Sequence, residues 1–220
     1  MNLEYQSTES ALQVWADICA EYCSGDFLGI QSSQGLYEYL LSCSAGFTKL
    51  RDRTCLAIGG TVTGDGLQPA GHMPEWLRAL IECIQKQILE LLDLSQPNHA
   101  LINVYEPGEG ILAHEDGPAY SPYAVILSLG SACMFDFVEK SETRRMLGQV
   151  YLPVGSVLVF RDEAYKSVLH QFAARRFDQI PSHAKFDPAR LGSAKLVGSS
   201  LERGKRISIT LRHVRVRQEL

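Results

Sequence analysis

The hydrophobic pattern of this chain changes its period near residue 99, and that change constrains the fold more than any other sequence feature. Before it, apolar residues recur at three- and four-residue spacing in segments 12–22, 36–43 and 76–92, which predicts helices. After it come short β-rich runs at 100–105, 111–116, 123–130, 133–138, 149–152, 156–160, 167–170 and 206–216. Helices followed by eight short strands predict an α+β, mainly β protein: an antiparallel two-sheet jelly roll buttressed by N-terminal helices.

Two segments interrupt this pattern. Residues 44–72 are rich in glycine, which predicts a long loop or an irregular hairpin that could act as a lid. Residues 171–202, with Pro181 and Pro188, are predicted to be a long insertion before the last strand. We expect a single domain over 1–220, with helices and lid in 1–98 and the jelly roll in 99–217, sharing one core.

Composition excludes several classes of protein. No apolar run approaches the roughly 18 residues of a membrane span, and the first residues do not resemble a secretory leader. The six cysteines form no Cys-x2-Cys pair, so we expect reduced thiols. We further expect a cytoplasmic or nuclear protein that is a monomer and has no membrane partner. Net charge is -4, yet segment 203–217 holds six basic residues and no acid, as in a phosphate-binding strand or a solvated strand face.

A candidate metal site begins at His114 and Asp116. Residues two apart on a strand face the same side, so both side chains can reach one ion. His170 ends another extended run and could supply a third ligand. Two histidines and one carboxylate with open positions are typical of non-haem Fe(II) oxygenases. The His-x-Asp pair alone is equally compatible with a polar strand end.

A second candidate site lies on the last predicted strand. Alternation places Arg206, Ser208, Thr210 and Arg212 on one face and apolar residues on the other. Guanidinium groups pair with carboxylates bidentately, and this spacing suits a dicarboxylate of about five carbons. A solvated face is the alternative interpretation.

A third pair, Asn103 and Tyr105, precedes the turn 106–110 that leads to His114. An amide and a phenol on one strand face can bind an oxygen-rich ligand. If the strands pair, all three groups of residues occupy one neighbourhood.

Together these residues resemble the AlkB-like Fe(II)- and 2-oxoglutarate-dependent dioxygenases. The resemblance covers roughly 49 to 216 and is densest over 103–130 and 206–212. It implies a double-stranded β-helix with an iron site and a 2-oxoglutarate site. The iron ligands would be His114, Asp116 and His170, and the cosubstrate residues would be Asn103, Tyr105, Arg206, Ser208 and Arg212.

The resemblance also implies an activity. Such enzymes use O2 and convert 2-oxoglutarate to succinate and CO2 while an N-methyl group is hydroxylated and lost as formaldehyde. The expected substrate is a single-stranded or flipped nucleic-acid base. The candidate substrate residues are Arg53 in the lid and the aromatic residues Tyr120 and Tyr123, with Trp76 as a further candidate for stacking.

Two positions depart from the pattern of base-repairing members. Pro118 stands where an acidic residue contacts the base, and Ile58 stands where an aromatic residue precedes Gly59-Gly60. Two alternatives therefore stay open: the same chemistry on a protein side chain or lipid, or a nucleic-acid-binding module with vestigial catalysis. The arginine pairs 144–145 and 175–176 are candidate phosphate contacts or solvated surface.

Overall fold

The computed structural model of the protein describes residues 30–43, 45–182 and 197–215. Helix α1 spans Ile30–Ser42 and helix α2 spans Glu75–Ile84, followed by a π-helical turn at Gln85–Leu89. Helix α1 overlaps the segment predicted at 36–43 but begins at Ile30, and α2 begins one residue before the segment predicted at 76–92. The helix predicted at 12–22 lies outside the described residues. Among the described helices, none has the length and hydrophobicity needed to cross a membrane.

Pro74 caps α2 at a position where a missing backbone N–H costs no helical hydrogen bond. The apolar stripe of α2 is buried as its spacing predicts, at Leu77, Leu80, Ile81 and Ile84.

The strands begin before the predicted change of period. In chain order they are β1 Thr48–Lys49, β2 Thr54–Thr63, β3 Gly66–Ala70, β4 His99–Tyr105, β5 Ile111–His114, β6 Tyr123–Leu129, β7 Cys133–Glu139, β8 Met146–Leu152, β9 Val157–Arg161, β10 Val168–Phe172, β11 Phe177–Gln179, β12 Ser200–Glu202 and β13 Arg206–Arg212. A short helix, α3 at Asp162–Lys166, separates β9 from β10.

Two antiparallel sheets form the barrel. The larger has the order β1-β2-β4-β13-β6-β9, with β3 also paired to β2, and the smaller has the order β5-β10-β7-β8. One cavity is lined by side chains of both sheets, among them Ser208 of the larger and His170 of the smaller. The fold is therefore the predicted double-stranded β-helix, or jelly roll.

Strand β13 lies between β4 and β6 and separates the core from the cavity. Ile207, Ile209 and Leu211 belong to the hydrophobic cluster that also contains the buried residues of α2. The alternate residues of β13 line the cavity. Alternation along this strand thus assigned both faces correctly.

The lid segment is more regular than its composition predicts. Residues 54–58 of β2 pair with β4, whereas residues 59–63 pair with β3, so one strand joins the main sheet to a hairpin. The sequence predicts that the jelly roll starts at residue 99, but its larger sheet already includes β1 and β2, which precede that residue. Several predicted ends also differ: the strand predicted at 111–116 ends at His114, and that at 206–216 ends at Arg212.

The predicted insertion is closed at its base by a small hairpin. Strand β11 pairs with β12. Asp178 of β11 accepts two hydrogen bonds, at 2.6 and 2.7 Å, from Arg203, which directly follows β12, and this bidentate ion pair is buried. Arg175 also donates to Asp178, at 2.5 Å, and lies near Asp136. This guanidinium therefore pairs with two buried carboxylates, and a phosphate contact of Arg175 stays a prediction.

Candidate metal and cosubstrate site

The three predicted metal ligands lie together at one end of the smaller sheet. His114 ends β5 and is the direct partner of His170 on β10. Asp116 lies in the loop two residues beyond β5. The candidate ligand atoms of the three side chains all lie within 4.8 Å of one another. One ion can therefore bind all three, with positions left open for other ligands.

Both imidazoles are kept neutral, as metal ligands must be. Burial lowers the pKa of His114, and it lowers the pKa of His170 to about 3. The Nδ1 atom of His114 donates to the backbone oxygen of Leu112 at 2.8 Å. That hydrogen bond orients the ring and leaves Nε2 as the atom available to a metal.

Arg212 holds the carboxylate of the triad. Its Nη2 and Nε donate to the two oxygens of Asp116 at 2.6 and 2.8 Å, and both side chains are at most 7% exposed. The ring of Tyr120 lies 4.9 Å from the guanidinium carbon. Arg212 therefore orients a predicted metal ligand and also lines the adjoining cavity, as the sequence predicts.

The cavity beside the triad brings together every residue predicted to bind the cosubstrate. The register of β13 and β4 places Arg206 opposite Tyr105 and Ser208 opposite Asn103. The cavity is lined by Leu101, Asn103, Tyr105, Ile111, His114, Ile126, Phe135, His170, Phe172, Arg206, Ser208, Thr210 and Arg212. Polar groups thus follow one wall, and apolar groups surround them, as in small-ligand sites.

Arg206 is a buried cation that its neighbours satisfy only in part. It is 2% exposed, and Nη2 donates to Ser128 Oγ at 2.8 Å, but within the described part of the chain Nε is buried without a hydrogen-bond partner. The rings of Phe172 and Tyr105 lie 4.7 and 5.8 Å from its guanidinium carbon. A buried guanidinium with a free donor fits a carboxylate ligand, so the residues present suit 2-oxoglutarate.

Tyr105 supplies a second donor to the same cavity. Burial raises the pKa of its phenol, although Arg206 and Arg53 act in the opposite direction. The hydroxyl therefore keeps its proton and can donate to an anionic ligand.

The predicted substrate residues have different positions. The side chain of Arg53 donates to Asn103 at 3.0 Å, at the cosubstrate cavity. Tyr120 is half-buried between Arg212 and His99, whose ring centroid lies 6.1 Å from its own. Roles of Arg53 and Tyr120 in substrate binding stay predictions.

For Tyr123 and Trp76 the outcome differs. Tyr123 is 1% exposed and its hydroxyl donates to the backbone oxygen of Ser95. A stacking role for Tyr123 is wrong, because stacking on a base needs an accessible ring face. Trp76 packs against the hydrophobic core and meets Tyr39 edge to face at 6.2 Å.

Sequence reasoning missed several residues of this site, among them two aromatic residues and a serine. Phe172 and Phe135 line the cavity, and Ser128 holds Arg206. Ser128 carried a weak signal, since it belongs to the Ser-Leu-Gly sequence at 128–130. The phenylalanines carried none, because in a strand they match any core aromatic.

Comparison with known proteins agrees with this geometry. A sequence model of the 2OG-Fe(II) oxygenase superfamily matches residues 60–212. The fold resembles that of OsALKBH1, with a TM-score of 0.58 and 17% identity over 86% of this chain and 95% of that one. It also resembles an oxidoreductase of the same superfamily from Burkholderia pseudomallei, with a TM-score of 0.56 and 14% identity over 87% of this chain and 81% of that one. The class is therefore an Fe(II)- and 2-oxoglutarate-dependent dioxygenase, with O2 as the third reactant.

Curated relatives define the family more closely. A Danio rerio protein named "Probable RNA/DNA demethylase ALKBH6" is 32% identical over 178 residues, which are 76% of this chain and 74% of that protein. A Mus musculus protein named "tRNA (carboxymethyluridine(34)-5-O)-methyltransferase ALKBH8" is 34% identical over 156 residues, which are 70% of this chain but 22% of that protein. This chain belongs to the AlkB-like family of the 2OG-Fe(II) oxygenases.

Proposed function

We propose that this enzyme demethylates alkylated bases of single-stranded or flipped nucleic acid by oxidation. The observation that carries the proposal is the placement of His114, Asp116 and His170 beside a cavity that contains Arg206. Relatives whose names include an RNA/DNA demethylase and a tRNA-modifying enzyme support nucleic acid as the substrate class.

The residues of the chain would divide the work. The triad would hold Fe(II), which supplies the activation of O2 and the oxidation of the methyl group when it is bound with 2-oxoglutarate. Arg206, Asn103 and Tyr105 would bind the cosubstrate, and Arg212 would hold Asp116 in position. The apolar cavity wall at Phe135 and Phe172 would limit water near the reacting groups.

One feature favours a second candidate, a protein hydroxylase that uses the same chemistry. The hairpin of β2 and β3, residues 54–70, contains no lysine or arginine, and its one charged residue is Asp65. A hairpin without lysine or arginine offers no cationic side chain to a phosphate, and Arg53, which precedes it, already donates to Asn103. Pro118 likewise occupies the position where base-repairing members carry an acid.

A substrate panel tests the proposal. Enzyme with Fe(II), 2-oxoglutarate and O2 is given single-stranded RNA or DNA with N-methylated bases, or the same oligonucleotides without methyl groups. We expect formaldehyde and succinate in equal amounts from methylated strands, and only slow succinate release from the others. His114→Ala, which removes a proposed iron ligand, serves as the inactive control.

The opposite result has a clear form. If no oligonucleotide increases succinate release, while a nuclease-treated protein extract does, the demethylase proposal fails and the protein hydroxylase replaces it.

A further inference from the structure

A short segment before the lid hairpin is tied to the loop that joins the cosubstrate strand to the metal ligand. Lys49 pairs with Glu109 at 2.5 Å, and the backbone N–H of Gly110 donates to the oxygen of Asp52 at 3.3 Å. Farther along, Arg53 reaches Asn103. Segment 49–53 therefore contacts the β5 end of the loop, at Glu109 and Gly110, and strand β4 itself, at Asn103.

Arg53 is the member of this segment that reaches the cavity wall. Its Nε donates to Oδ1 of Asn103 at 3.0 Å, and the side chain is part-buried. Arg51, two residues earlier, has a side chain 94% exposed and pairs at the surface with Asp52. Two arginines of one segment thus differ sharply in what they contact.

The bond to Arg53 decides which end of the Asn103 amide faces the ligand. A guanidinium only donates hydrogen bonds, so the group that it contacts must be the amide oxygen. With the oxygen committed to Arg53, the two N–H donors of Nδ2 are the groups that Asn103 can offer to a ligand. Asn103 lies 4% exposed and lines the cavity beside Ser208, so this choice of orientation is made at the site itself.

We propose that Arg53 is a positioning residue of the 2-oxoglutarate site, which turns the N–H donors of Asn103 toward the carboxylate or ketone oxygens of the cosubstrate. Because Arg53 directly precedes β2, the same contact links cosubstrate binding to the seating of the lid hairpin. The proposal rests on the cosubstrate site of this enzyme class and is independent of which substrate is oxidised.

Charge supports the assignment. Burial raises the pKa of Tyr105, and Arg206 and then Arg53 oppose that rise, which places the Arg53 guanidinium within electrostatic reach of the phenol.

The test measures binding of 2-oxoglutarate to the full chain without O2, using Mn(II) or Fe(II) as the metal. Arg53→Met removes the charge and the donor but keeps the length of the side chain. We expect affinity for 2-oxoglutarate to fall about tenfold while metal affinity changes less than about twofold. Arg53→Lys, which keeps a charge and a donor, should recover part of the loss, and the matched control Arg51→Met should bind as wild type does.

A double-mutant cycle separates positioning from general support of the fold. If Arg53 acts through Asn103, then adding Arg53→Met to Asn103→Ala should weaken 2-oxoglutarate no further. Fully additive losses would overturn the proposal, and so would wild-type affinity in Arg53→Met.

Asn103→Asp gives a test that does not depend on the folding of Arg53→Met. The aspartate keeps an oxygen for Arg53 but has no N–H donor. We therefore expect the variant to bind 2-oxoglutarate at least tenfold more weakly while Arg53 and the hairpin keep their positions. Unchanged affinity in Asn103→Asp would show that the amide donors are not used, and would overturn the proposal.

Discussion

Arg206 and Arg212 stand on the same face of one strand, yet they have different partners. Arg212 is fully paired with Asp116, whereas Arg206 donates to the neutral hydroxyl of Ser128 and keeps a buried Nε without a partner in the described chain. The difference separates their roles. Arg206 keeps a donor for the predicted cosubstrate, whereas Arg212 is already paired with a predicted metal ligand.

The first prediction concerns Arg206→Lys. Lysine keeps the charge but loses the planar fork that binds a carboxylate bidentately. We expect affinity for 2-oxoglutarate to fall about tenfold or more, with iron affinity nearly unchanged, in anaerobic titrations of each ligand. An equal loss of iron and cosubstrate would instead mean that β13 is distorted and that Arg206 has no selective role.

The second prediction concerns the metal-free protein. Asp116→Asn removes the charge that compensates Arg212, and both side chains are almost fully buried. Removing one member of a buried pair leaves an uncompensated charge, so we expect a loss of about 3 kcal/mol in the free energy of unfolding by urea. Glu115→Gln is the control, since that neighbouring side chain is 57% exposed and should change stability by less than about 0.5 kcal/mol.

Metal-free Asp116→Asn protein as stable as wild type would contradict the ion pair. Arg212 would then have to be solvated, and its role in orienting Asp116 would be lost.

At the scale of elements, the lid hairpin depends on two glycines in β2. Gly59 and Gly60 have φ angles of +110° and +135°, in the region that favours glycine. They stand where β2 stops pairing with β4 and starts pairing with β3. A Cβ atom on Gly60 would lie 2.2 Å from the backbone oxygen of Gln68. This pair therefore permits the strand to leave the main sheet as a hairpin.

The third prediction is that Gly60→Ala displaces the hairpin. We expect a cost of about 1–3 kcal/mol in unfolding free energy and a large loss of turnover, with iron binding retained because the triad lies outside the hairpin. Gly64→Ala is the matched control, since a Cβ there meets nothing within 4 Å. If Gly60→Ala unfolds and turns over like Gly64→Ala, the hairpin does not depend on this backbone conformation.

A second feature of the elements is the buried ion pair at the base of the insertion 171–202. Arg203 is held by Asp178 and lies 4.1 Å from the centre of the Phe172 ring, whose surroundings also include Arg206. The base of the insertion thus adjoins the cosubstrate cavity. The charges of Asp178 and Arg203 can be buried here because each carboxylate oxygen of Asp178 accepts a charged donor, and Arg175, whose side chain is 32% exposed, supplies a further one.

For the molecule as a whole, net charge limits how nucleic acid can bind. A protein with a net charge of -4 has no broad positive field, so only local phosphate contacts are available. The fourth prediction is that single-stranded RNA binds weakly, with a shallow slope of log affinity against log salt of roughly -2 to -3, or about -0.7 for each phosphate neutralised. A slope several times steeper, measured by fluorescence anisotropy, would require an extended basic surface and contradict this view.

The fifth prediction concerns stability and pH. Burial, with a smaller effect of Arg212, lowers the pKa of His99 from 6.5 to about 4 in the folded state. The unfolded chain therefore binds a proton at higher pH than the folded one, so stability is complete above about pH 6.5 and is lost as pH falls toward 4. His170 acts in the same direction.

Urea unfolding of the metal-free protein between pH 7 and 4 checks this expectation. Wild type should lose up to about 1.4 kcal/mol per pH unit for each such histidine, and His99→Gln should lose less. His72→Gln, at an exposed position, should follow wild type. Parallel curves for wild type and His99→Gln would mean that His99 is protonated in the fold without cost.

The sequence by itself determined the class of fold and predicted a metal triad and a cosubstrate wall, whose residues the structure brings together. Alternation along β13 assigns Ser208 and Thr210 to one face and Ile207 and Ile209 to the other, because side chains of a strand point to opposite sides in turn. The triad followed from the chemistry of its residue types, although Asp116 lies past the end of its strand. These inferences depend on local backbone geometry and on the ligand preferences of the residue types, and both can be deduced from the amino-acid sequence.

Only the tertiary structure decided which residues each side chain contacts. Tyr123 is buried and Arg53 contacts Asn103 because strands distant in sequence were brought beside them, and neither periodicity nor composition encodes that neighbour. The ion pair of Asp178 and Arg203 joins residues 25 positions apart across an insertion. Local sequence specifies the direction in which a side chain points, whereas its partner is set by the packing of elements that come from elsewhere in the chain.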